Sequence, residues 1–296
     1  MTVDVYTGLM AKVLSYGDMS NPPFQSRTGY AYLADGFDRS HVPDLIRILD
    51  DDELADADAD SSEVWAQGHA WRILGQLRAE EAILPLLRLL HYIDERDDDW
   101  VQNEVPEVLA DIGPTALEPA AHFLSDTDNG VWARVAAIDS LKQIAMAFPD
   151  TRSRCVEVVT GQLAQFAEQD EILNTFLIDC LIELKAVESA PLIERAFAAG
   201  AVDVTVRGDW EDAQIDLGLL DERTTPKPNY LWERLFGLSD SEDEEDDDDD
   251  EDDDEYQSDA KAPRVVRRAA VDPVKKKRKR KEAQKQRKVQ RKKKKK

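Results

Sequence analysis

Cysteine is almost missing from this chain. Only Cys155 and Cys180 occur in 296 residues, each inside an apolar pattern of helical spacing. A disulfide framework is excluded, and the two side chains read as buried free thiols of a reducing compartment. Histidine is scarce as well, at four residues, and glycine numbers only 13. No stretch approaches the ~20 consecutive apolar residues of a membrane-spanning helix. The N-terminal MTVDVYTGLMAKVLSYGD has no basic start followed by an apolar core, so no signal peptide is expected. There is no GxSxG, no Walker loop, no GxGxxG and no CxxC. The short motifs that announce acyl transfer, nucleotide binding or dithiol chemistry are therefore not in place.

Charge of one sign is missing locally, in two places. Residues 239–260 hold 16 acids and no base, whereas residues 261–296 hold 20 bases against Asp272 and Glu282 alone. The remainder, 1–238, holds 18 Lys+Arg against 44 Asp+Glu. The formal net charge of −24 thus hides an acidic body followed by two tails of opposite sign. The acid run 242–255 lacks apolar residues and repels itself, and the basic tail carries few apolar residues beyond five valines. Both are expected to be disordered or at most transiently helical.

What is present in the body is a helical repeat. HVPDLIRIL (41–49), AILPLLRLL (82–90), ALEPAAHFL (116–124) and SAPLIERAF (189–197) each carry one proline, at Pro43, Pro85, Pro119 and Pro191. Proline suits the first turn of a helix, where its absent N–H costs nothing. The proline spacing leaves room for a further unit at RCVEVVTGQL (154–163), which lacks it. A second set alternates with the first: VWAQGHAWRILGQL (64–77), DWVQNEVPEVLADI (99–112), VWARVAAIDSLKQI (131–144) and ILNTFLIDCLIELK (172–185). Trp65, Trp100 and Trp132 share one position in it, and Leu74, Leu109 and Leu141 follow nine residues later. Val105, Val108, Leu109 and Ile112 give the stripe of a buried helix face. Two helices per ~36 residues is the mark of an α-solenoid, whose units bury their apolar faces only by stacking.

These segments predict an all-α fold of about five helical hairpins. Residues 1–40 are expected to form an irregular N-terminal cap, 41–200 the repeats and 201–238 a C-terminal cap containing a short helix at GDWEDAQIDLGLL (208–220). The acidic run 239–260 and the basic tail 261–296 follow. The segments EVWAQGHAWRILGQLRAEEAILPLLRLL, DIGPTALEPAAHFL and VDVTVRGDWEDAQIDLGLL resemble the HEAT-like repeat family in its bacterial phycobilisome-lyase-like branch, over roughly 40–220. That resemblance implies the solenoid fold, a cytoplasmic location and, through the lyase name, a groove that could cradle a tetrapyrrole. Similar bacterial proteins often end in a cysteine-rich zinc motif, but here no cysteine follows Cys180. A related HEAT-repeat hydroxylase binds iron through His-Glu pairs, but the four histidines here precede Val42, Ala70, Tyr92 and Phe123. Neither a metal nor a cofactor is expected. Asp56, Asp58 and Asp60 start like a calcium loop, but Ser61 and Gln67 occupy the positions that need glycine and glutamate.

Function is expected from surfaces. An acidic solenoid face suits a basic protein partner, with Trp65, Trp71, Trp100 and Trp132 as anchors or as packing between repeats. Arg72 and Arg134 lie near them, as pairing residues. In the tail, Lys275, Lys276, Lys277, Arg278, Lys279, Arg280, Lys281, Lys285, Arg287, Lys288, Arg291 and Lys292 suit a polyanion such as RNA, contacted along its backbone without sequence preference. KKKRKRK (275–281) also has the form of a nuclear import signal in a eukaryotic cell. The acid run beside the tail is expected to compete with polyanions for it, and phosphorylation at Ser239 or Ser241 would strengthen that contact. No lipid anchor accompanies the lysines, so a membrane is not expected as partner. An interaction scaffold is the first reading and an enzyme of the lyase-like branch the second.

Overall fold

The computed structural model describes residues 6–228, and every regular element among them is a helix. The acidic run and the basic tail lie outside the described residues. In chain order the helices are α1 (Leu9–Ser15), α2 (Val42–Leu49), α3 (Asp52–Ala55), α4 (Ala66–Gln76) and α5 (Ile83–Leu89). Then come α6 (His91–Arg96), α7 (Asp99–Ile112), α8 (Leu117–Ser125), α9 (Val131–Ala147) and α10 (Arg152–Leu163). The last four are α11 (Glu171–Glu183), α12 (Ala190–Ala198), α13 (Val204–Arg207) and α14 (Trp210–Leu217). No helix among the described residues is long and apolar enough to cross a membrane.

Both predicted helix sets form. The proline set is α2, α5, α8, α10 and α12, with Pro43 and Pro191 at the second helical residue and Pro85 and Pro119 at the third. The segment without proline, at 154–163, is α10. The second set is α4, α7, α9 and α11. Each proline-set helix packs on the next of its set, α2 on α5, α5 on α8, α8 on α10 and α10 on α12. The second set does the same, α4 on α7, α7 on α9 and α9 on α11. Across the sets, α2 packs on α4, α5 on α7, α8 on α9 and α10 on α11. The positions nine residues after the tryptophans, Leu74, Leu109 and Leu141, are all fully buried between these helices, as are Val105 and Val108. Full burial of one such leucine stabilises by ~1.5–3 kcal/mol. Cys155 and Cys180 are free and buried, and burial raises the pKa of both thiols.

Helix ends are closed by side chains from neighbouring segments. At the N-terminal end of the second set, Gln67 Nε2 donates to the Leu49 carbonyl at the end of α2 (2.8 Å). Arg134 Nε donates to Leu124 O near the end of α8 (2.8 Å), and Asn174 Nδ2 to Phe166 O just past α10 (3.0 Å). These carbonyls have no partner inside their own helices. Arg134 is buried and leaves Nη2 unbonded, and burial lowers its pKa. At the other end, Arg39 reaches the Leu77 and Arg78 carbonyls and pairs with Glu81. Arg152 repeats this on the Leu184 and Lys185 carbonyls and Glu188. The same register, Leu-basic-Ala-x-Glu, recurs at 77–81 and 184–188.

Four short helices, α1, α3, α6 and α13, were not anticipated, and α6 has a clear task. Asp94 of α6 accepts from the Trp132 and Ala133 amides (3.1 and 2.8 Å), so it caps α9 from outside. The residue before α9 is Gly130, and a Cβ there would lie 2.2 Å from Asp94 Oδ2. Gly130 therefore leaves room for a carboxylate borrowed from the preceding unit. Asp94→Ala is expected to lower stability by about 1 kcal/mol, the usual worth of an N-cap. Gly130→Ala should cost about the same by expelling Asp94, and the double variant no more than the worse single. Urea unfolding of the full chain checks this, and additive losses would show that Gly130 has another role.

Candidate interaction surface

Residues 6–41 run across α4. Their aromatic side chains converge on His69, whose ring centroid lies 5.0 Å from that of Tyr16 and 4.7 Å from that of Phe24. Tyr30 and Tyr32 complete the cluster, 4.8 Å apart and edge to face. The Gly17 carbonyl can only accept, so His69 Nε2 carries the proton and donates to it at 2.8 Å. Nδ1 then accepts the Tyr32 hydroxyl at 2.6 Å. Burial of this neutral ring pushes its pKa down to about 4, and burial lifts Tyr32 to about 12. Met19 lies over Gly68, where a Cβ would approach its sulfur to 2.0 Å, so a glycine at that point of α4 lets the segment dock.

One turn along, Arg72 and Glu104 form a buried pair between α4 and α7. Arg72 Nε donates to Glu104 Oε2 at 2.8 Å and Nη2 contacts Oε1. Trp71 Nε1 donates to the same carboxylate at 2.9 Å, and Arg72 Nη1 donates to Phe24 O at 2.7 Å. Burial opposes the Arg72 charge, and Glu104 more than restores it. Farther toward the end of α7, Arg27 Nε contacts Glu107 at 2.6 Å and its Nη1 contacts Asp111. Between residues 27–33 and the ends of α4, α7 and α9 lies an open cavity of about 720 Å³.

Several cations among the described residues each face more than one carboxylate: Arg96 with Asp52 and Asp56, Arg154 with Glu118 and Glu157, and four more that are largely buried. Arg27 meets Glu107 and Asp111. Lys142 meets Asp139 at 2.6 Å and Glu183 at 3.0 Å, linking α9 to α11. Arg207 meets Asp179 at 3.2 Å and Asp216 at 2.9 Å, linking α13 to α11 and α14. Arg223 meets Asp209 at 2.7 Å, Asp212 at 2.8 Å and Glu211 at 3.5 Å. Burial opposes the Lys142 charge, and its two carboxylates raise its pKa nonetheless. Burial also raises the pKa of Asp179. Every one of these groups retains excess negative charge. Residues 6–228 as a whole hold 17 Lys+Arg against 42 Asp+Glu.

The tryptophans separate into two kinds. Trp65 and Trp100 are half-buried and meet edge to face, with centroids 5.5 Å apart at 89°. Trp132, also half-buried, meets Phe176 at 5.9 Å and 70°. All three lie at the start of their helices beside acidic residues: Glu63 near Trp65, Asp97 to Asp99 before Trp100, and Asp128 before Trp132. Trp71 is different, only 4 % exposed with its N–H engaged by Glu104, so the structure does not bring it to this edge. Arg72 is a buried pairing residue, whereas Arg134 finds a carbonyl and, among the described residues, no carboxylate within ion-pair distance. The basic residues from Lys275 to Lys292 lie outside the described residues. The aromatic cluster at His69 and the multi-carboxylate groups were not read from the sequence. Most of their members come from distant segments, such as Arg27 with Asp111, and of their ion pairs only Asp139 with Lys142 and Arg154 with Glu157 have a local helical spacing. Comparison with protein-family models, with curated proteins and with solved structures finds no match to this chain.

The His69 environment has a pH consequence. At neutral pH the ring is uncharged in both the folded and the unfolded chain, so it contributes no pH dependence. Below the unfolded value of 6.5 the unfolded chain takes up a proton that the folded chain refuses until about pH 4. Stability should fall by about 3 kcal/mol across that window on this account, from ~1.4 kcal/mol per pKa unit. Comparing urea midpoints of the full chain and His69→Gln from pH 7 to pH 4 isolates it. Parallel curves would remove His69 as the cause.

Proposed function

We propose that this protein is a non-enzymatic interaction scaffold. Its body is an α-solenoid of about five HEAT-like hairpins that holds a basic segment of a protein partner, and residues 261–296 tether it to RNA or another polyanion. The solenoid reading draws support from the order of packing, in which each helix meets the next of its own set. The single observation that carries the partner reading is the surplus of carboxylates over cations, 42 Asp+Glu against 17 Lys+Arg in residues 6–228, which persists around Arg27, Lys142, Arg207 and Arg223. A surface of that sign attracts Lys- or Arg-rich segments and speeds their association. The half-buried Trp65, Trp100 and Trp132 add aromatic faces, on which a cation gains ~0.5–2 kcal/mol. The two buried free thiols favour a reducing compartment such as the cytoplasm.

For the tail the support is composition: 20 bases in 36 residues and no aromatic ring for base stacking. Neutralising phosphates releases counterions, so affinity should fall steeply with salt and ignore base sequence. Fluorescence anisotropy with a single-stranded RNA over a salt series, on the full chain and on a chain ending at Ala260, tests this. The full chain should bind with a steep negative salt slope and the shortened chain should not. The shortened chain should in turn bind a fluorescent oligolysine peptide, about tenfold more weakly after Trp65→Ala with Trp100→Ala. RNA binding by both chains would overturn the tail assignment. Oligolysine affinity unchanged by the tryptophan variants would remove the Trp edge from the partner site.

A further inference from the structure

The cavity beneath residues 27–33 is independent of the scaffold reading. Its volume of about 720 Å³ lies within the range of small-ligand sites. Its roof is held in place without a ligand: Gln76 Nε2 donates to Tyr30 O at 2.7 Å, and Arg27 is pinned by Glu107 and Asp111. The charges of Arg27 and Arg72 are matched by these carboxylates and by Glu104. Asp111, on the same wall, is engaged by Arg27.

Arg78 is different. It lines the cavity, is exposed, and its guanidinium has no ion pair or hydrogen bond among the described residues. In a body so rich in acid, most cations are paired. Its backbone is left-handed, with φ 49°. The Ala79 amide donates to Leu74 O and the Arg78 amide to Gly75 O, the helix ending in which glycine is usual. A residue with a Cβ pays conformational strain there. Lys185 occupies the equivalent position after α11, with φ 53°, and its ammonium donates to the Asp216 carbonyl at 2.6 Å. The Lys185 side chain thus has a structural task, and the Arg78 side chain has none within the described residues. The rest of the wall is largely apolar. Ala31, Ala147 and Phe148 line it, together with Leu33, which is 41 % exposed.

We propose that this cavity binds an apolar or aromatic group bearing one carboxylate, with the carboxylate on Arg78 and the apolar part against Leu33 and Phe148. The same chemistry is offered by a free small acid and by the C-terminal residue of a polypeptide. Arginine grips a carboxylate through two parallel N–H donors, so its replacement by an uncharged amide loses both charge and fork geometry.

The test uses the full chain, ¹⁵N-labelled, titrated with N-acetyl-phenylalanine, its amide, and a decapeptide ending in phenylalanine with a free carboxylate. Saturable shifts at the Thr28, Gln76 and Arg78 amides are expected, with a Kd of about 1 mM or tighter for the acid. The amide should bind at least tenfold more weakly. Arg78→Gln should lose about tenfold for the acid and nothing for the amide. Arg78→Gly, which relieves the left-handed strain, should lose binding while the protein becomes no less stable, so that a folding defect is not mistaken for a lost contact. Tighter binding of the decapeptide identifies a polypeptide terminus as the ligand, and tighter binding of the acid identifies a small molecule. Equal affinity for acid and amide, an unaffected Arg78→Gln, or no saturable shift would overturn the proposal.

Discussion

A helix of eight or nine residues with one apolar face cannot stand alone in water, and this chain is built from such helices. Isolated helices shorter than ~12–15 residues are marginal even for the best sequences. α2, α5, α8 and α12 are all below that length, so each takes its stability from the helix beside it. Leu74, Leu109 and Leu141 lie at successive contacts of the longer second set and are wholly buried. The end closures follow the same constraint. Leu124 O is satisfied from α9, Leu184 O from Arg152, and the first amides of α9 from Asp94 of an earlier unit. Packing and capping are both distributed along the chain, and loss of one contact is felt in the neighbouring unit.

That distribution decides how the few cations are used. Arg39, Arg134, Arg152 and Lys185 donate to backbone carbonyls at helix ends, where positive charge also meets the negative end of the helix dipole. Arg72 answers Glu104 in the interior. A buried pair of this kind gives little net stability over an apolar substitute, but removal of one partner alone typically costs ~3–5 kcal/mol. With these residues engaged in structure, too few cations remain to neutralise the surface. The acidity of the described residues is then the remainder after structural needs are met.

Much of this was legible in the sequence, because the periodic part of the fold is local. Proline in a first turn, tryptophan at a helix start and leucine nine residues later are readable within one segment, and the helices formed where those marks lie. The Leu-basic-Ala-x-Glu register at 77–81 and 184–188 was equally local, yet it emerged only once Arg39 and Arg152 were seen on the same carbonyls. What could not be read is the non-periodic part. Residues 6–41 have no repeat to compare with, and their docking depends on Gly68 admitting Met19 and on His69 meeting Tyr32. Pro106 inside α7 breaks the rule that served the proline set, since its register places it in mid-helix.

Arg78 and Lys185 stand at equivalent helix ends and differ in what surrounds their side chains. Equivalent positions in a repeat share backbone geometry because the same hairpin closure imposes it, and both residues accept a left-handed φ. Their side chains are not bound by that constraint. Lys185 is turned to the Asp216 carbonyl of α14. Among the described residues the Arg78 guanidinium has no such neighbour, and residues 27–33 border a cavity beside it instead. The irregular segments at the two ends therefore do more than cover apolar faces. They set the surroundings of otherwise equivalent residues, and among the described residues they leave the Arg78 guanidinium unpaired at the wall of a cavity.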